Sequence, residues 1–204
     1  MLLETRGCLD YDERDLPLDL PRLGLSYHAH LPVDLPWQDG AEAVSAAISG
    51  LEQKIAFLCP RGYVLHPPAP GQLSRLLARR PDLACLLWIE NTGQGDLAGI
   101  WDEIGALNLG VCLDVGHLVS YGQERLLSLP GFFDRVRILH VYGGESRRGH
   151  AGLECLPDPD LLQGILQRVR GDTTLVVEVF SLDELERSLG LLKSWLLEWG
   201  MEYD

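Results

Sequence analysis

Basic residues are scarce in this chain. It has two lysines, Lys54 and Lys193, both in predicted helices, and a net charge of −13 over 204 residues. Proteins that grip a nucleic-acid backbone present a basic patch, because phosphate neutralisation drives that binding. No such patch is written here, so nucleic acid is not an expected partner. Long apolar runs are missing too. No stretch approaches the roughly 20 residues of a membrane-spanning helix. The N-terminal MLLETRG has Glu4 and no apolar core of signal-peptide length. A soluble, cytoplasmic protein with no membrane partner is the expectation. The five cysteines form no CxxC pair, which argues against a disulfide framework or a thiolate metal site. Cys59, Cys85 and Cys112 have apolar neighbours in sequence and are expected to behave as small hydrophobes. There is no GxSxG, no P-loop and no GxGxxG after the first strand. No lysine closes a strand-like run, which speaks against Schiff-base chemistry.

What the chain does have is a set of histidines in a telling position. All six follow or close strand-like stretches, and none is expected in a helix. His28 and His30 close GLSYHAH, His66 closes GYVLH, His117 follows GVCLDVG, and His140 closes VRILH. His150 falls in the loop that follows. Glu90 ends LLWIE, Asp114 ends GVCLD and Glu178 ends TLVVE. Imidazoles and carboxylates at one end of several strands are what a multinuclear metal site needs.

Short β-like runs near 2–5, 24–30, 62–66, 85–90, 109–114, 136–142 and 174–179 alternate with helical patterns. Most runs are almost continuously apolar, as parallel strands buried on both faces are. Helical spacing covers 40–58, 71–80, 96–107, 123–135, 158–169 and 182–199, the last opened by a capping box from Ser181 to Glu184. Pro17 and Pro21 limit any regular helix in 8–22 to its first half. Alternation of this kind predicts βαβ units and a parallel sheet. A doubly wound sheet gathers its ligand at one switch point, whereas a TIM (β/α) barrel brings every strand end around one mouth. Acids and histidines from at least six strand ends favour the barrel. Seven strands are one short of eight, so the predicted fold is an incomplete barrel lacking its first strand, in a single domain over 1–204. An exposed sheet edge in such a barrel would favour a homo-oligomer.

Each candidate has a plainer reading. In LDVGH, Asp114 and His117 point toward one mouth with Gly116 allowing a sharp turn between them; otherwise Asp114 caps the next helix and His117 lies on the surface. Glu90 in WIEN offers two oxygens to bridge two ions, with Asn91 orienting it, or is a solvated loop acid. His30 and His66 are each followed closely by proline, which stiffens the loop bearing them. His28 shares a side with His30 and packs below it, bonds to it or contacts substrate. His140 and Glu178 are plausible ligands at strand ends, and His150 is a ligand or a surface loop residue. Glu4 contacts substrate or water. Arg147 and Arg148 hold a phosphate by paired hydrogen bonds, or are solvated.

The ordered set His30, His66, Glu90, Asp114, His117, His140, His150 and Glu178 resembles the metal-site series of the xylose-isomerase-like TIM-barrel superfamily. Among its members it is most similar to the apurinic-site endonucleases of the endonuclease IV type, because sugar isomerases generally lack the first pair of histidines. By position, the resemblance implies one metal on His30, His66 and Glu90, a second on Glu90, Asp114, His140 and Glu178, and a third on His117 and His150. One position departs: Arg148 stands where the endonuclease pattern has an aspartate. Longer segments, HLPVDL, VCLDVGHLVSYG and VVEVFSLDELERSL, resemble the cobamide-remodelling phosphodiesterases (CbiR-type). That implies a phosphodiesterase using two or three divalent ions to cleave the nucleotide loop of an adenosylcobamide. Zinc is the first expectation for the ions, with manganese, iron or cobalt accepted by the same N/O donors. Glu90, Glu178 and His117 would stand nearest the chemistry. The rival expectations are a sugar isomerase or epimerase, an apurinic-site endonuclease, and a non-catalytic metal or corrinoid binder.

Overall fold

The computed structural model describes residues 4–11, 17–147 and 149–203. Its chain forms two compact units, the first from Met1–Glu90 with Gly95–Gly110, the second from Asn91–Gln94 with Val111–Asp204.

In the first unit, helix α1 (Thr5–Asp10) precedes strand β1 (Ala29–His30), helix α2 (Ala41–Ile55), strand β2 (Tyr63–Leu65), helix α3 (Gln72–Arg79), strand β3 (Leu87–Glu90) and helix α4 (Trp101–Ala106). The three strands run parallel in chain order, Ala29 beside Tyr63 and Val64 beside Trp88. Tyr63, Val64 and Leu65 are all buried, so β2 shows no alternation because neither of its faces meets water. Val44, Ile48 and Leu51 of α2 recur at helical spacing, as do Leu73, Leu76 and Leu77 of α3, and all six are buried. Glu103 of α4 fastens the start of α3. Its carboxylate accepts from the Gly71 and Ser74 amides and the Ser74 hydroxyl, each at 2.7 Å.

The expected strand at 2–5 is not seen. Thr5 instead opens α1, its amide and hydroxyl both donating to Asp34 Oδ1 at 2.7 and 2.8 Å, while Leu2 and Leu3 lie outside the described residues. Glu4 is therefore an exposed residue before a helix rather than a strand end. The run 24–30 yields only two strand residues, because a 3-10 turn (Leu20–Leu23) and the left-handed Gly24 (φ 68°) come first. Cys59 and Cys85 are exposed, since each sits at the end of a surface 3-10 turn rather than inside the core; Cys112 is buried as expected.

The second unit holds strand β4 (Gly110–Asp114), helices α5 (Val115–Ser120) and α6 (Phe132–Arg135), strand β5 (Val136–Val141), the antiparallel pair β6 (Glu145–Ser146) and β7 (Gly149–His150), helix α7 (Pro159–Leu166), strand β8 (Thr174–Val177) and helix α8 (Leu182–Glu198). Strands β4, β5 and β8 are parallel, with Asp114 beside His140 and His140 beside Val176. Asp158 caps α7 through the Asp160 and Leu161 amides, and Pro159 takes the first helical position. The capping box expected at α8 does not form: Ser181 is the N-cap, but its side chain makes no cap bond. Asp183 and Glu184 in the first turn offset the positive end of the helix instead. The described residues thus contain six parallel strands rather than seven, three in each unit.

Candidate metal centres

The first cluster lies in the first unit. His30 ends β1, Glu90 ends β3, and His66 follows β2 directly. Both Nε2 atoms, of His30 and of His66, stand 3.1 Å from the same Glu90 Oε2, and the two rings meet edge to face at 5.0 Å. Glu90 is almost wholly buried. His30 Nδ1 lies 2.8 Å from the Leu31 carbonyl. A carbonyl only accepts, so Nδ1 carries the proton and the neutral ring presents a lone pair at Nε2. That lone pair faces a carboxylate oxygen, an acceptor against an acceptor. Either a second proton or a cation must lie between them. A divalent ion satisfies both histidines and the carboxylate at once.

The second cluster is built from β4, β5 and the residue after β8. His140 Nδ1 stands 2.9 Å from Glu178 Oε2 and 4.0 Å from Asp114 Oδ2. Asp114 and His140 are buried. Asp114 fulfils both readings of the sequence. Its Oδ1 caps α5 by accepting from the His117 amide at 2.6 Å, and its Oδ2 remains directed at imidazole nitrogen. Asn91 does not serve Glu90 as expected but braces Asp114. Its amide donates to the Asp114 carbonyl at 2.9 Å, and its Oδ1 accepts from the Asp114 amide at 2.8 Å.

The third cluster joins His117, Glu145 and His150. His117 is not beyond a strand but inside a helix, the third residue of α5, because its amide closes the Asp114 cap. His150 is not in a loop but in β7, directly opposite Glu145 of β6. Glu145 Oε1 lies 3.2 Å from His117 Nε2 and 3.7 Å from His150 Nε2. Each ring again donates through Nδ1 to a backbone carbonyl, His117 to Asn91 at 2.9 Å and His150 to Glu178 at 2.8 Å. Tyr142 stacks flat on His150, with centroids 3.8 Å apart and planes 3° from parallel. Burial, then the charges of Asp114, Glu145 and Glu178, hold its phenol far above the ordinary tyrosine range, so it stays neutral. Gly116 is required by this packing, not by a turn: a Cβ there would lie 2.1 Å from the Tyr142 ring.

All eight residues singled out as ligands fall into these three groups. The other candidates do not. His28 packs near Trp88, centroids 6.3 Å apart, Arg147 is exposed in the hairpin turn, and Arg148 lies outside the described residues. Glu145 and Tyr142 are not among the sequence candidates. GESRRGH carries no recognised hairpin turn pair, so no local signal sets Glu145 against His150.

No family model matches the chain, and no curated protein matches it by sequence. Solved structures do match. A D-tagatose 3-epimerase-like protein is 17% identical over 98% of this chain and 87% of its own, with a TM-score of 0.66. Endonuclease IV from Thermus thermophilus is 17% identical over 97% and 88%, TM-score 0.64. IOLI protein with a bound zinc atom is 15% identical over 91% and 82%, TM-score 0.62. These likenesses show the fold alone: a TIM barrel, incomplete here, with six parallel strands among the described residues.

Proposed function

We propose that the protein is a metal-dependent phosphoric diester hydrolase and that its substrate is a cobamide, cleaved in the nucleotide loop to adenosylcobinamide phosphate. The observation that carries the metal part is the repeated contact between an imidazole Nε2 and a carboxylate, with Nδ1 already spent on a carbonyl. The His30–His66 pair supports a hydrolase over a sugar isomerase, and the resemblance of VCLDVGHLVSYG and VVEVFSLDELERSL supports the cobamide.

Bound divalent ions would lower the pKa of water and offset charge on the phosphoryl oxygens. The chain's own residues hold and orient. His30, His66 and Glu90 form one ion site; Asp114, His140 and Glu178 form another. The Leu31 carbonyl fixes the His30 ring, and Asn91 fixes the end of β4. Asp114 and His140, buried from solvent, keep the second site dry. Arg147 is the cation we assign to the substrate phosphate. Tyr121 and Phe180, both exposed, flank His117 and His150 with ring centroids at 5.7 and 4.8 Å, which suits stacking of a planar base.

The test is mass spectrometry of adenosylcobalamin incubated with the metal-reconstituted protein. Adenosylcobinamide phosphate is expected, and its absence despite a loaded protein would overturn the substrate. The likeness to the D-tagatose 3-epimerase-like protein, with the Glu178–His140 contact as a proton-transfer pair, favours sugar isomerisation or epimerisation as the second reading. Conversion of a ketose would establish it.

A further inference from the structure

We infer that Gln123 is a positioning residue for the metal site: it sets which way the Asn91 amide faces, and through Asn91 it fixes both Asp114 and His117. The inference rests on the metal-dependent reading above and deepens it. Gln123 reaches its place because α5 stops sharply. Tyr121 caps the helix, Gly122 is left-handed at φ 60°, and the Gln123 amide turns back to the Leu118 carbonyl at 2.9 Å. This is the bond by which a Schellman turn closes a helix. It leaves the Gln123 side chain against the buried Asn91 and Thr92.

The hydrogen bonds that follow have one consistent polarity. The Thr92 carbonyl only accepts, so Gln123 Nε2 donates to it, at 2.9 Å. Gln123 Oε1 is thereby turned to Asn91 and accepts from Asn91 Nδ2 at 3.1 Å. Asn91 then presents Nδ2 to the Asp114 carbonyl at 2.9 Å and Oδ1 to the Asp114 amide at 2.8 Å. A flipped Asn91 amide would set like against like at all three contacts. Asp114 is gripped on both sides of its Cα, while its Oδ1 accepts from the His117 amide. The backbone carbonyl of Asn91 accepts from His117 Nδ1 at 2.9 Å, which keeps Nε2 as the lone-pair atom of that ring. One half-buried glutamine, acting through the 91–92 segment, so orients ligands in two clusters.

The test compares Gln123→Met and Gln123→Glu with the wild type in the full chain. Methionine keeps the length of the side chain and loses the amide. Glutamate keeps an acceptor for Asn91 and loses the donor to Thr92. Zinc affinity is read by competition with a chelator, folding by circular dichroism, and the histidine Nδ1 protons by NMR of metal-free protein. Gln123→Met is expected to weaken zinc by about 10–100-fold, the usual effect of losing a residue that orients a ligand, with Gln123→Glu in between. The His117 Nδ1 proton should exchange faster in Gln123→Met, while the His150 Nδ1 proton, held by the Glu178 carbonyl, stays as in the wild type. A folded Gln123→Met with wild-type zinc affinity, or one that loosens both histidine protons alike, would reduce Gln123 to a loop brace and overturn the inference. A wild type that takes no zinc would overturn the metal reading, and the two histidine protons would then decide the role of Gln123. Should Gln123→Met fail to fold, Gln123→Glu decides: an unchanged zinc affinity and His117 proton would overturn the inference.

Discussion

Replacing Gly116 with alanine should destabilise the protein even though alanine is the better helix former. A Cβ at Gly116 would meet Tyr142 Cε2, Cζ and Cδ2 at 2.1, 2.2 and 2.5 Å, where ordinary contact begins at 3.4 Å. The ring must retreat by about 1 Å or more. It is fully buried and stacked on His150, so it has no open side to move into. Overpacking of this kind costs about 1–3 kcal/mol, against roughly 0.5–1 kcal/mol gained from helix propensity. Three contacts this short place the clash at the upper end of that range, so a net loss of about 2 kcal/mol is expected, which lowers Tm by roughly 4–8 °C in a chain of this size. Gly190 is the control. It lies inside α8 with nothing within 4 Å of its added Cβ, so Gly190→Ala should stabilise by about 0.5–1 kcal/mol. The assay is urea unfolding of metal-stripped protein with the m-values compared. Because the clash is with one ring, adding Tyr142→Ala to Gly116→Ala should cost less than the two single changes summed. A Gly116→Ala variant as stable as the wild type, with unchanged m, would show that Tyr142 does not pack against α5 as described.

Three further outcomes are expected. Glu90→Gln keeps the shape of the side chain but removes the charge that two Nε2 atoms face; turnover and one metal equivalent should be lost, and retained turnover would sink the mechanism. Asn91→Ala removes two buried hydrogen bonds to the Asp114 amide and carbonyl and should cost about 1–3 kcal/mol, read as a lower urea midpoint. Burial tends to raise the Glu103 carboxyl, but the Ser74 and Gly71 hydrogen bonds outweigh it and leave the pKa below the ordinary value. Its contribution is therefore complete above the unfolded pKa near 4.5 and is lost as pH falls through the lower folded value. Glu103→Gln should cost about 1 kcal/mol at neutral pH, and the gap to wild type should close on acidification.

The repeating order of strand and helix was legible because each element has its own hydrophobic period: continuous apolar runs such as GVCLD, helical spacing in AEAVSAAISGLEQKI. The nearness of acids and imidazoles to strand ends left a trace in the sequence for a related reason. A polar residue set against an apolar run is marked by the contrast: Glu90 and Asp114 end their strands, whereas His140 interrupts β5 and Glu178 follows β8. What sequence alone left undecided was anything set by contacts distant along the chain. Whether Thr5 begins a helix depends on Asp34, 29 residues away. Asn91 and Asp114 bond across 23 residues. The need for glycine at 116 is dictated by Tyr142, and local φ/ψ preference points to the wrong cause. Glu145 looked like one acid among many in a polar loop until the hairpin turned it toward His117 and His150. Periodicity and contrast are local properties and can be read along the chain, whereas the partner of a carboxylate is decided only when folding brings separate strand ends together.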